Sequence, residues 1–241
     1  MTVHGSAGLL AAWEDGLAHR GPARTLALHR AARPGAGPDD LLRLPVGERE
    51  ADLYALRRTL FGDRMPVLAD CAHCGEALEF DLDAAALAAP PEPGDEPLRV
   101  TEDGWQVEFR PPTVGDLTAA ASALDPRGEL LHRCVLTARY GDREVDAGDL
   151  PEAVQRRLAE AAERADPAAD ITLRTACPGC GAATPLRLDI AAHLWAELDF
   201  WARDLLTDVH VLARAYGWTE PEILALSPVR RRYYLELCAD A

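Results

Sequence analysis

The chain has 241 residues, 48% of them hydrophobic and 27% charged, with 25 basic against 40 acidic side chains, a formal net charge of −15 and a pI near 4.8. That length and apolar content suit one large domain or two small ones with a real core. The acidic balance excludes general binding to nucleic acid or an anionic membrane surface, which needs a basic face.

Residues 7–62 read as helical. Residues 7–13 are apolar, but Glu14 and Asp15 follow at once, so no signal peptide is expected. Ser6 is placed to cap a helix over residues 7–17, and Pro22 opens a second that runs to Ala32. A Pro/Gly-rich turn at residues 34–38 precedes a short helix started by Asp39 and Asp40. Residues 48–60 carry Ala51, Leu53, Tyr54, Leu56 and Leu60 at helical spacing, and Gly62 is the expected stop.

The period then changes. Residues 66–70 lead into Cys71-Ala-His-Cys74-Gly75, and residues 78–82 alternate apolar and polar, which predicts strand, turn, strand. Residues 88–97 (AAPPEPGDEP) have the composition of a linker. Residues 98–100 and 105–109 flank Glu102-Asp103-Gly104, a hairpin signal. Thr113 with Asp116 three positions on predicts a capped helix start. A helix is expected over residues 127–140, and another opened by Asp149 and Pro151 that runs to about Ala165.

Residues 171–177 and 185–190 repeat the strand-turn-strand pattern around Cys177-Pro-Gly-Cys180-Gly181. Finally Leu194, Leu198, Trp201, Leu205, Val209, Leu212 and Tyr216 recur every three or four residues, which predicts a long amphipathic helix. Thr219 and Glu222 form a second capping pair, and Ser227-Pro228 starts a terminal helix. No run approaches the roughly 18 apolar residues of a membrane span, and a cytoplasmic protein is expected.

The two cysteine segments resemble each other. DCAHCGEALEFDLD, from Asp70 to Asp83, aligns with ACPGCGAATPLRLD, from Ala176 to Asp189. Both cysteines, the following Gly, two apolar strand positions and the closing Asp match. Each segment is therefore expected to be a zinc-knuckle hairpin, whose CxxC turn lets two thiolates converge on one cation while the next Gly takes a positive φ. One knuckle supplies two ligands and a closed structural zinc site needs four. Cys71, Cys74, Cys177 and Cys180 together complete a tetrathiolate site for one structural Zn2+ per chain.

Competing chemistries fit less well. A thioredoxin-like CxxC opens a helix, whereas here each is followed by Gly and a strand. A rubredoxin-like iron site uses the same knuckles, but no redox context accompanies them. Two local disulfides do not suit a reducing compartment. His73 lies inside the first knuckle, yet four thiols already suffice. Cys134 and Cys238 fall in apolar helical runs and are expected to be buried small hydrophobes. No HExxH, P-loop, GxGxxG or GxSxG occurs, so no enzymatic activity is expected.

The C-terminal run LLTDVHVLARAYGWTEPEILALSPVRRRYYLEL (residues 205–237) resembles the tail of the T4-type phage baseplate hub assembly protein family, which also occurs in contractile injection systems. FRPPTVGDL (residues 109–117), LLHRCVL (residues 130–136) and Trp13-Glu-Asp-Gly-Leu17 are similar to the same family. The resemblance covers most of the chain and is expected to be strongest in the last 40 residues. It implies a role in building the baseplate hub, as a chaperone or a minor component, with baseplate or hub proteins as partners; neither nucleic acid nor membrane is an expected partner, on the acidic charge and the lack of a long apolar run.

The expected fold is mainly α with a small β zinc-ribbon-like unit (α+β), in which two knuckle hairpins come together around one metal. Its expected divisions are residues 1–62 (helical), 63–90 (first knuckle), 91–168 (inserted hairpin and helical lobe), 169–190 (second knuckle) and 191–241 (helical docking region). Arg230, Arg231 and Arg232 form the only Arg triplet, and with Tyr233 and Trp218 they are candidate partner-binding residues. Arg and aromatics carry interface energy, while a solvated helix end is the plainer reading of the triplet. A zinc-ribbon adaptor acting in transcription or nucleic-acid binding is the alternative function, and the acidic charge counts against it.

Overall fold

The computed structural model describes residues 5–88 and 97–239, so most of the expected linker (residues 89–96) lies outside the described residues. The chain divides into two compact units. One joins the residues up to Ala31 to those from Ala191 onward, and the other comprises Ala32–Ile190. Helix accounts for just over half of the chain and small antiparallel sheets for the strands, an α+β protein.

The first unit begins with α1 (Ser6–Leu17) and α2 (Pro22–Ala32). Ser6 is the first helical residue and not the cap. Gly5 holds the N-cap position without a side-chain bond. The unit's other elements are α9 (Ile190–Tyr216), α10 (Glu220–Leu224) and α11 (Pro228–Ala239). Leu194, Leu198, Ala202, Leu205 and Leu212 bury one stripe of α9, each Leu contributing about 2 kcal/mol by its removal from water. Leu10 packs with Ala202 and Leu205, flanked by Trp13, Trp201 and Leu224. Trp13 Nε1 donates to Asp199 Oδ1 at 2.8 Å. The guanidinium carbon of Arg24 stands 4.2 Å above the Trp195 ring, a cation–π contact.

The second unit opens with α3 (Pro38–Arg43) and α4 (Val46–Phe61). Gly62 ends α4 with φ +89°, and the buried Arg57 donates to the carbonyls of Gly62 and Arg64, both at 2.8 Å. These bonds fasten the helix end to the first hairpin, β1 (Arg64–Asp70) with β2 (Ala77–Asp83), after which comes the single turn α5 (Ala84–Leu87).

The largest sheet runs in the order β3 (Leu98–Glu102), β4 (Trp105–Phe109), β5 (Val135–Tyr140), β6 (Arg143–Glu144). Between β4 and β5 lie α6 (Val114–Ala120) and α7 (Pro126–Cys134). Thr113 and Asp116 form the expected reciprocal cap of α6. The single helix expected over residues 127–140 is corrected: it stops at Cys134, and the rest is β5. Val135, Thr137 and Tyr140 suit a strand, and pairing with β4 sets Tyr140 opposite Trp105 with ring centroids 5.0 Å apart. The helix α8 (Glu152–Ala165) covers the sheet, and Val154 and Leu158 pack on Val107, Phe109 and Ala138.

A second two-stranded hairpin, β7 (Thr172–Ala176) with β8 (Ala183–Arg187), closes the unit. The strand expected to reach Ile190 ends at Arg187, because Ile190 is the first residue of α9. No helix among the described residues is long and apolar enough to cross a membrane.

Candidate metal centre

Both knuckles have the same backbone. In the first, seven cross-strand pairs run from Arg64↔Asp83 to Asp70↔Ala77. The Cys71 amide donates to the Glu76 carbonyl and the Gly75 amide to the Cys71 carbonyl, each at 2.8 Å. In the second, Cys177 donates to Ala182 at 2.9 Å and Gly181 to Cys177 at 2.8 Å. Gly75 and Gly181 share a φ of +73°, the left-handed region that a side chain resists. The sequence duplication is thus a structural one, and each turn aims two sulfurs the same way.

The sulfurs meet crosswise. Cys71 Sγ lies 3.8 Å from Cys180 Sγ, and Cys74 Sγ lies 3.6 Å from Cys177 Sγ. The ligand atoms of all four residues fall within 4.8 Å of one another. A disulfide needs about 2.0 Å between sulfurs, so these are four free thiols. A tetrahedron of sulfurs about 2.3 Å from a central ion has edges of about 3.8 Å, close to the spacing of these two cross-knuckle pairs. Cys71 and Cys177 are each 2% exposed, while Cys74 and Cys180 face outward. Leu78 packs with the two buried cysteines and keeps one side of the cluster dry.

The electrostatics are uneven. Thr184 Oγ1 stands 3.4 Å from Cys71 Sγ. That hydroxyl, with the Cys74 and His73 amides behind it, lowers the Cys71 thiol to about 6. Cys74 has the Glu76 amide to lower it, but Cys180, Cys177 and burial outweigh that donor and push its thiol up to about 12. Four sulfurs at this spacing cannot all ionise without a cation among them. A divalent ion removes that conflict, and its binding releases the protons.

The donor set therefore fits a metal. Four cysteine sulfurs gathered this closely suit a soft or borderline ion and not an oxygen-seeking one such as Mg2+ or Ca2+. The set is closed, and His73 stands outside it. Sequence reasoning missed Thr184. It occupies the position that Leu78 holds in the first knuckle, and a polar residue on the buried side of a strand was the signal that could have marked it.

The tail residues are more dispersed. Arg231 is 7% exposed, and its Nε donates to Asp208 Oδ2 on α9 at 3.1 Å. Arg230 is exposed, and Arg232 is exposed and paired with Glu236 at 3.0 Å. The triplet is therefore not one continuous solvated face. Trp218 is half-buried, stacked on Tyr216 with centroids 4.6 Å apart and edge-on to Tyr234 at 4.8 Å. Tyr233 is 65% exposed. Cys134 and Cys238 are half-buried and not fully buried as expected.

The model of the T4 bacteriophage base plate protein family matches residues 34–194, more than half of the chain and inclusive of both knuckles. The chain belongs to that family of phage baseplate proteins. The match stops short of the tail, where the resemblance had been expected to be strongest. No curated protein and no solved structure matches the chain.

Proposed function

We propose that the protein is a zinc-stabilised assembly factor or minor structural component of the baseplate of a contractile, phage tail-like injection system, with no catalytic role. The observation that carries this reading is the family match across residues 34–194, whose span includes all four cysteines. Zinc is preferred over iron because a closed tetrathiolate joining two distant hairpins has the form of a clasp. The clasp closes a long loop, where a cross-link removes most chain entropy in theory. The partners are baseplate or hub proteins met in the cytoplasm. Docking uses the tail, where Arg230, Arg232 and Tyr233 are exposed and Trp218 is half-buried beside them in the chain.

Deletion of the gene from an otherwise intact cluster tests the reading. Electron microscopy of sheathed tails is expected to find few or no intact particles, with yield restored by the gene supplied separately. Wild-type yields after deletion remove the assembly role.

A further inference from the structure

Each of the two close sulfur pairs joins an exposed cysteine of one knuckle to a buried cysteine of the other. Cys74, at the surface, stands 3.6 Å from the buried Cys177, and Cys180, at the surface, stands 3.8 Å from the buried Cys71. A disulfide needs about 2.0 Å between sulfurs, so each pair closes by a movement of less than about 2 Å shared between two side chains. The turns themselves are held by the Gly75 and Gly181 amides, which bond to the carbonyls of Cys71 and Cys177. The partners therefore stay opposite each other whether or not an ion lies between them.

The other two cysteines compete poorly for an oxidant. Cys134 is half-buried, and burial pushes its thiol up to about 11. Cys238 is half-buried as well. Thiolate character and exposure decide which sulfur is oxidised, so a peroxide meets Cys74 and Cys180 first. The exposed thiolate attacks one peroxide oxygen, the O–O bond breaks, and a sulfenic acid forms with release of hydroxide, which takes a proton and leaves as water. The buried partner's thiolate then attacks the sulfenic sulfur. An S–S bond forms, and the departing hydroxide takes a second proton as water. Each pair thus consumes one peroxide and two protons and gives one disulfide and two waters. Disulfide sulfurs carry no negative charge, so closing both pairs releases the ion.

We infer that the four cysteines are a peroxide-sensitive modification site, at which oxidation replaces the metal clasp by two cross-knuckle disulfides, Cys71–Cys180 and Cys74–Cys177. What is lost rests on the metal reading above, whereas what is gained rests on the sulfur geometry alone. The two disulfides tie residues 109 and 103 positions apart in the chain, so the hairpins stay joined when the ion goes. A disulfide within either CxxC would join nothing beyond its own turn. The same closure is then kept by a metal where thiols are reduced and by covalent bonds in oxidising surroundings, where disulfides persist.

The test titrates the metal-loaded full-length chain with hydrogen peroxide and follows released zinc with a chromogenic chelator. About two peroxides are expected to free one ion. Trypsin cuts after Arg64, Arg99, Arg174 and Arg187, which puts Cys71 and Cys74 on residues 65–99 and Cys177 and Cys180 on residues 175–187. Without reductant these two peptides are expected to run joined, and fragmentation between the cysteines to assign Cys71 to Cys180 and Cys74 to Cys177. Reductant should separate them. The oxidised protein should keep its melting temperature within a few degrees in a chelator that lowers that of the reduced protein by roughly 10 °C or more. Cys134→Ser with Cys238→Ser should give the same map, and the unaltered chain decides the matter if that variant does not fold. Peptides that stay separate through Cys71–Cys74 and Cys177–Cys180 bonds, the pairing Cys71–Cys177 with Cys74–Cys180, or sulfinic acids without a cross-link would each overturn the inference. So would an oxidised protein as unstable as the reduced, metal-free one. Starting protein without metal defeats the metal reading separately, because the peptide map decides the pairing with or without an ion.

Discussion

Cys74 Sγ lies 3.6 Å from Cys177 Sγ, although 103 residues separate them in the chain. Only a fold that brings two hairpins face to face can place them there. The equal roles of the two knuckles give the first prediction. Cys71→Ser and Cys177→Ser each leave three thiolates on the same ion, so both should lower the melting temperature by roughly 10 °C or more, to a similar extent. Thr184→Val removes the hydroxyl beside Cys71 and should weaken metal retention by about tenfold, a typical effect for a group that supports a ligand. Melting curves measure the first effect and competition with a chelator the second. If Cys177→Ser retains the metal with unchanged melting while Cys71→Ser unfolds, the shared site is wrong.

Gly16 lies within α1 against Trp195 of α9. A methyl group added at Gly16 would collide with the indole ring. Gly→Ala inside a helix ordinarily stabilises by up to about 1 kcal/mol. Here the sign should reverse, with Gly16→Ala losing about 1–3 kcal/mol through overpacking. Chemical denaturation measures it, and a stabilised variant would mean that the two helices do not pack so closely.

The Arg triplet should divide by burial. Arg231→Glu sets a second carboxylate beside Asp208, whose own carboxyl burial already pushes up despite Arg231, and should lower the melting temperature by several degrees. Arg230→Glu and Arg232→Glu change exposed side chains and should leave it nearly unchanged. Equal losses from all three would contradict the inward placement of Arg231.

Much of this organisation is legible in the sequence, for local reasons. Each CxxCG turn carries its own geometry, and the duplication marks the pair. The caps Thr113/Asp116 and Thr219/Glu222 are complete within four residues, and both form. The break between α7 and β5 is not legible. Leu130, Leu131 and Val135 keep helical spacing, with no Gly or Pro at Cys134, and the strand exists because β4 lies beside it. Nor is the Asp166 bond to Gly47 legible, since it spans 119 residues. The inward turn of Arg231 depends on Asp208 one helix away, and three consecutive arginines look alike until that packing is known.

Asp166 also predicts a pH dependence. Burial raises its carboxyl above the unfolded value. Between those two values the folded state keeps a proton that the unfolded chain has lost, so stability falls as pH rises through the window. Asp166→Asn lacks this dependence. Its melting temperature relative to wild type should therefore be more favourable by a few degrees at pH 7 than at pH 4. Melting curves at both values measure it, and a difference that is constant or larger at pH 4 contradicts the buried, unpaired carboxyl.

The central claim is that four cysteines from two distant hairpins hold one ion. The most direct measurement is elemental analysis joined to X-ray absorption at the metal edge, on freshly prepared, reduced protein. The account predicts about one zinc per chain in a shell of four sulfurs at about 2.3 Å. Metal-free protein that remains folded, or a shell containing only two sulfurs, would contradict it.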